Sequence, residues 1–177
     1  MEVSKTISLT ELETATDSAW ENNKVPFFFD TQGNASVFFK YKAQLLELHE
    51  LQVAITAGER TLEDVKEKIR SSLMYAMKSG DTLVFFMDKL MGKFGDYYDE
   101  KFLPKEIFNP SEIKNPDIYK KILKEEEDVD AFGNKGGFEM RDTFKVVVLS
   151  TRNPEDEDNS DISDNLDTER FEFIKIE

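Results

Sequence analysis

Apolar residues return at helical spacing over residues 9–24. Leu9, Leu12, Ala15, Ala19 and Trp20 mark one face, and Asn22-Asn23 frays the end. The pattern then changes. Val25 to Phe29 is continuously apolar and closes on Asp30, which predicts a strand buried on both faces, with Pro26 tolerable only at its start. Residues 31–34 read as a turn. From Ala35 to Glu50 helical spacing returns, with Phe38, Tyr41, Leu45, Leu48 and Leu51 on one side. Periodicity leaves residues 51–55 open between helix and strand. The clearest helix runs from Thr61 to Ser79. Thr61 and Asp64 form a capping box at its start, Leu62, Val65, Ile69, Leu73 and Ala76 make its apolar stripe, and Gly80 supplies the left-handed stop. Thr82 to Asp88 predicts a second buried strand, ending in an acid.

Residues 89–137 are irregular and punctuated by Pro104, Pro110 and Pro116. A helix is expected over Pro116–Glu127, a loop or hairpin tip at 133–137 and a short outer strand at 138–140. Phe144 to Ser150, rich in β-branched residues, is the strongest strand. Residues 154–169 are acidic and almost without apolar content, so a mobile loop is expected there. Phe171 to Ile176 alternates, as a half-exposed closing strand would. Apolar strands separated by helices imply crossover connections and a mostly parallel sheet. Ligands of such sheets sit beyond the carboxyl ends of the strands, which singles out segments 30–35, 87–92 and 150–155.

Composition narrows the chemistry. The chain of 177 residues carries a net charge of −14 with 15 Phe, 1 His and no Cys. The length and aromatic content suit one domain with a sizeable core. The acidity argues against nucleic-acid binding and against adhesion to anionic membranes. Thiolate chemistry is excluded, and one histidine cannot build a His-rich metal centre. The N-terminus lacks the apolar region of a secretory signal, and no run has the length of a membrane span, so an intracellular, soluble protein is expected.

Four segments in order carry a resemblance. PFFFDTQGNASVFFKYK resembles the first strand, degenerate phosphate loop and first helix of the fifth AAA module of dynein heavy chains. SSLMYAMKSGDTLVFFMD is similar to the helix and strand leading to that module's second catalytic motif. FEMRDTFKVVVLSTRNPEDED is similar to its hairpin and sensor strand, and TERFEFIKIE falls where its fifth strand would be. The likeness covers roughly residues 25–176. It also extends to the degenerate dynein-like modules at the ends of ciliary IQ-motif and ankyrin-repeat proteins. Departures are Thr31, where the family often has Pro, and residues 92–130, an insertion or divergent segment.

The resemblance implies a three-layer, P-loop NTPase-like α/β fold lacking the helical lid domain. Residues 1–24 form an N-terminal helical extension, and 25–177 the degenerate domain. Gly33, Asn34 and Ala35 stand at the phosphate loop, Asp88 at the metal-binding acid and Asn153 near a sensor position. A working phosphate loop needs several glycines and a Lys. Residues 30–36 offer one glycine and no Lys, and Lys40 comes too late. A helix N-terminus alone attracts an anion by only about 0.3–1 kcal/mol. Asp88 is followed by Lys89, where the catalytic Glu would stand.

The expectation is therefore a pseudo-ATPase: a non-catalytic structural or interaction protein of a ciliary or axonemal assembly, with no cofactor, no metal, and protein partners. The alternative is a nucleotide-binding regulatory domain without hydrolysis. An unrelated enzyme on the same scaffold lacks any nameable nucleophile–base pair, His49 reading as a helix-surface residue. Docking is expected through the acidic loops or the aromatic segment 94–108, although Tyr97, Tyr98 and Phe102 also suit packing onto the core.

Overall fold

A computed structural model describes residues 2–156 and 159–177. The strands are β1 (Lys5–Ile7), β2 (Val25–Phe29), β3 (Gln44–Glu47), β4 (Thr82–Asp88), β5 (Lys145–Ser150) and β6 (Phe171–Ile176). The helices are α1 (Leu12–Glu21), α2 (Asn34–Lys42), α3 (Leu48–Thr56), α4 (Leu62–Ser79), α5 (Phe94–Tyr97), α6 (Pro116–Tyr119) and α7 (Ser160–Asn165). Every strand pairing is parallel, in one six-stranded sheet of order β1-β6-β2-β5-β4-β3. The α/β class and the parallel sheet agree with the pattern in the sequence.

The central strands are apolar throughout because both faces are covered. Phe27, Phe29, Phe85, Val146 and Val148 join the core on one face with α4 and with Trp20 of α1. Phe28, Val84, Val147 and Leu149 pack on the other face with Ala35 and Phe39 of α2. Trp20 is 8% exposed, donates its indole N–H to the Val146 carbonyl at 2.9 Å and meets Phe144 edge-on. The expected α4 boundaries hold. Thr61 and Asp64 exchange hydrogen bonds as a capping box, and Gly80 ends the helix at φ 80°. A side chain at Gly80 would also collide with Thr143.

Several elements differ from expectation. The helix expected over 35–50 stops at Lys42. Ala43 is extended, and Gln44–Glu47 pair with Leu83–Phe86 as the edge strand. Residues 51–55 belong to α3. Residues 1–24 are more than a helical extension, since β1 pairs with β6. β6 therefore lies inside the sheet rather than closing it. Phe171, Phe173, Ile174 and Ile176 are buried, and the half-exposed Glu172 pairs with Lys5 at 3.0 Å.

Within 154–169, expected as a loop, α7 forms and buries Ile162 and Leu166. The apolar content is sparse but well placed. The acidic run 155–158 falls partly outside the described residues. The helix expected over 116–127 shortens to α6 plus a 3-10 turn at Lys120–Ile122. Residues 138–140 form no strand; Phe138 instead anchors the segment in the core and donates its amide to Asp128. In segment 94–108, Phe94, Tyr97, Leu103, Ile107 and Phe108 are buried in the core, while Gly95, Asp96, Glu100, Lys101 and Lys105 remain exposed.

Candidate functional site

The connections after β2 and β5 leave in opposite directions, towards β3 and β6 respectively. Where neighbouring strands diverge in this way, their carboxyl ends frame a crevice. Here the framing residues are Asp30, Ser150 and Asp88. The Asp30 amide donates to the Ser150 carbonyl at 2.8 Å, and the Ser150 hydroxyl donates to the Asp88 carbonyl at 2.9 Å. The three segments 30–35, 87–92 and 150–155 thus meet along one edge, on adjacent strands.

The start of α2 is built around Asp30, which is 2% exposed. Its carboxylate accepts the Ala35 amide at 2.6 Å and the Gln32 amide at 3.1 Å. Its carbonyl accepts the Gly33 amide at 3.2 Å. Gly33 sits at φ 76°, a left-handed conformation that glycine adopts without strain. The turn therefore folds its amides onto its own acid. A helix N-terminus favours negative charge, and here a carboxylate of the chain supplies it. Ala35 is buried, Gly33 half-buried and Asn34 exposed. The Asn34 carboxamide donates to the Gln32 side chain at 3.3 Å.

Asp88 is half-buried and takes the left-handed conformation at φ 51°, where the β4–β5 register shifts. Its carboxylate accepts the Thr151 hydroxyl at 2.6 Å. Arg152 follows, donating to the Lys89 carbonyl and, through both terminal nitrogens, to Asp161 of α7. Asn153 is engaged by the turn that follows it. Its carbonyl accepts from the Asn159 side chain and its carboxamide oxygen from the Glu155 amide. Among the sequence-derived residues, Gly33, Asn34, Ala35 and Asp88 stand at the edge that Ser150 bridges, while Asn153 serves the next turn. The late Lys40 pairs with Glu47 at 3.0 Å. A surface cavity of 430 Å³ touches segments 87–92 and 150–155 through Leu90, Met91 and Arg152, and cavities of 670 and 460 Å³ touch the latter through Pro154 and Glu155, but Gly33, Asn34, Ala35 and Asp88 line none of these.

The residue that sequence reasoning passes over is Asp30 itself. The pattern marks it only as the end of a strand, yet a buried acid facing a helix start is a ligand for amides. The turn from β3 into α3 also brings together the ligating atoms of Glu47, His49 and Glu50. Among the described residues, no helix is long and apolar enough to cross a membrane. Set against known proteins, the chain matches no protein-family model, no curated protein and no solved structure.

Proposed function

We propose that the chain is a non-catalytic interaction module, a pseudo-ATPase of the dynein-like AAA type, held within a ciliary or axonemal assembly. The observation that carries this reading is the Asp30 carboxylate, seated on the Gln32 and Ala35 amides where a phosphate would need them. A triphosphate approaching that turn meets the buried Asp30 carboxylate, and residues 30–36 supply no lysine. Asp88 adds a second acid whose hydrogen bond goes to Thr151, and it precedes Lys89, a cation that opposes a metal ion. The resemblance contributes the ciliary setting. Support for its order of segments comes from the sheet, in which the strands bearing the loop, acid and sensor positions are neighbours. Val37 and Tyr41, one turn apart on α2 and 57% and 86% exposed, offer apolar surface to a protein partner.

Titration calorimetry with ATP and ADP, with and without Mg²⁺, tests the nucleotide half. No heat and no thermal shift at millimolar ligand is expected; saturable micromolar binding would transfer the protein to the regulatory, nucleotide-binding reading. A tagged copy in ciliated cells tests the setting. Axonemal signal is expected, and a uniformly cytosolic one removes the ciliary assignment.

A further inference from the structure

The turn from β3 into α3 places the ligating atoms of Glu47, His49 and Glu50 within 4.8 Å of one another. On a continuous helix, positions 47 and 49 would stand about 160° apart around the axis. Glu47 is instead the last residue of a strand, and its ψ of 72° swings the chain into the helix. The His49 ring is fixed from two directions. Its Nδ1 lies 3.3 Å from the Phe86 carbonyl oxygen. A carbonyl only accepts, so Nδ1 carries a proton, and in the neutral ring the lone pair is then on Nε2. The ring also packs edge-on against Phe86, with centroids 5.0 Å apart.

Nε2 is left 4.0 Å from Glu47 Oε2. That gap is too long for a hydrogen bond. Two ligand atoms on one tetrahedral ion, each bonded at about 2.0–2.2 Å, stand about 3.3–3.6 Å apart, so a shift of the Glu47 side chain by about half an ångström would close the pair on an ion. An imidazole that gives one ring proton to a backbone carbonyl and turns its other nitrogen towards carboxylates is oriented as metal-binding histidines are.

We propose that Glu47, His49 and Glu50 form a site for a divalent transition-metal ion of the zinc class, with a further position open to water or to a donor from a partner. One imidazole nitrogen and two carboxylate oxygens suit such an ion. Calcium asks for six to eight oxygens, more than this turn presents. Glu50 is exposed, so an ion can enter. Lys40 competes for Glu47 and must move aside, which its 58% side-chain exposure permits. The site uses none of the residues at the crevice between β2 and β5, so it stands or falls apart from the pseudo-ATPase reading.

The test titrates zinc chloride alone into the full chain by calorimetry, in parallel with proton NMR of the ring. His49 is the sole histidine, so its signals need no assignment. One equivalent should saturate, with the His49 resonances moving in step with the heat. His49→Ala and Glu50→Gln should each weaken binding by about tenfold or more, and Lys40→Met should strengthen it. Glu50 is a surface residue, so that variant tests the site without disturbing the core. The proposal is overturned if no one-to-one saturation occurs, if the His49 signals stay put, or if Glu50→Gln and His49→Ala bind zinc as the parent does.

Discussion

A carboxylate on a helix start can cap the helix or repel a ligand, and at Asp30 the two roles are one. Removing it should therefore be felt first in stability. Asp30→Ala strands the Gln32 and Ala35 amides at a buried turn. A loss of about 1–2 kcal/mol is expected, by analogy with deleted helix caps, and urea unfolding of the variant checks it. The glycines at 33 and 80 are legible in the sequence because a left-handed turn leaves few other choices. The role of Asp30 is not, since its partner lies five residues on and nothing in the local pattern marks the contact. Asp88 is legible as the end of its strand. Its left-handed backbone and its bond to Thr151 depend on the bulge against β5, which only strand pairing creates.

Among elements, α4 shows how a helix organises a stretch with little regular structure. Arg70, 4% exposed, reaches across from α4 to the Ile122 carbonyl and to Glu127, and also holds Glu67 one turn back. The pairing fastens the interior of the 89–144 excursion to the helix. Hydrogen bonding from Arg70 outweighs burial and brings the Glu67 carboxyl down from 4.5 to about 2. For Glu127 burial pushes upward, and the bonds from Arg70 and the Lys124 amide together overcome it. A depressed carboxyl stabilises the fold in full above its ordinary value near 4.5 and loses that contribution as the pH falls towards 2. Thermal unfolding followed from pH 5 down to about 2.5 should thus decline more steeply in the parent than in Glu67→Gln. Arg70→Met leaves the partly solvated Glu67 and Glu127 with Lys124 as their neighbouring cation, and a loss of about 1–3 kcal/mol is expected in urea.

The same scale shows why β3 is hidden from the sequence. Phe38, Tyr41, Leu45 and Leu48 keep helical spacing straight through the break, so periodicity alone runs α2 into α3. The strand exists because Leu45 and Leu46 find Val84 and Phe85 alongside. Tertiary pairing overrides a local pattern that points elsewhere. β2, β4 and β5 have no such ambiguity, because a short apolar run bounded by turn residues has few uses except a strand covered on both faces.

For the whole molecule, the sheet gains an outer strand from the first residues of the chain. β1 is unreadable in the sequence: a three-residue strand carries too little pattern, and its pairing partner lies over 160 residues away. It nevertheless protects β6, whose unpaired edge would otherwise be open to other chains. A variant without residues 1–8 should unfold at lower denaturant and associate on concentration, as sedimentation would record. A monomer of unchanged stability would contradict this protective role of β1.

Trp20 bridges this architecture at one point, tying α1 to the start of β5 by its ring nitrogen. As the chain's sole indole, it makes the protein its own fluorescent gauge. Its emission colour reports whether that helix still lies against the sheet, and a red shift that precedes the loss of circular dichroism would mark α1 lifting away while the strands remain joined.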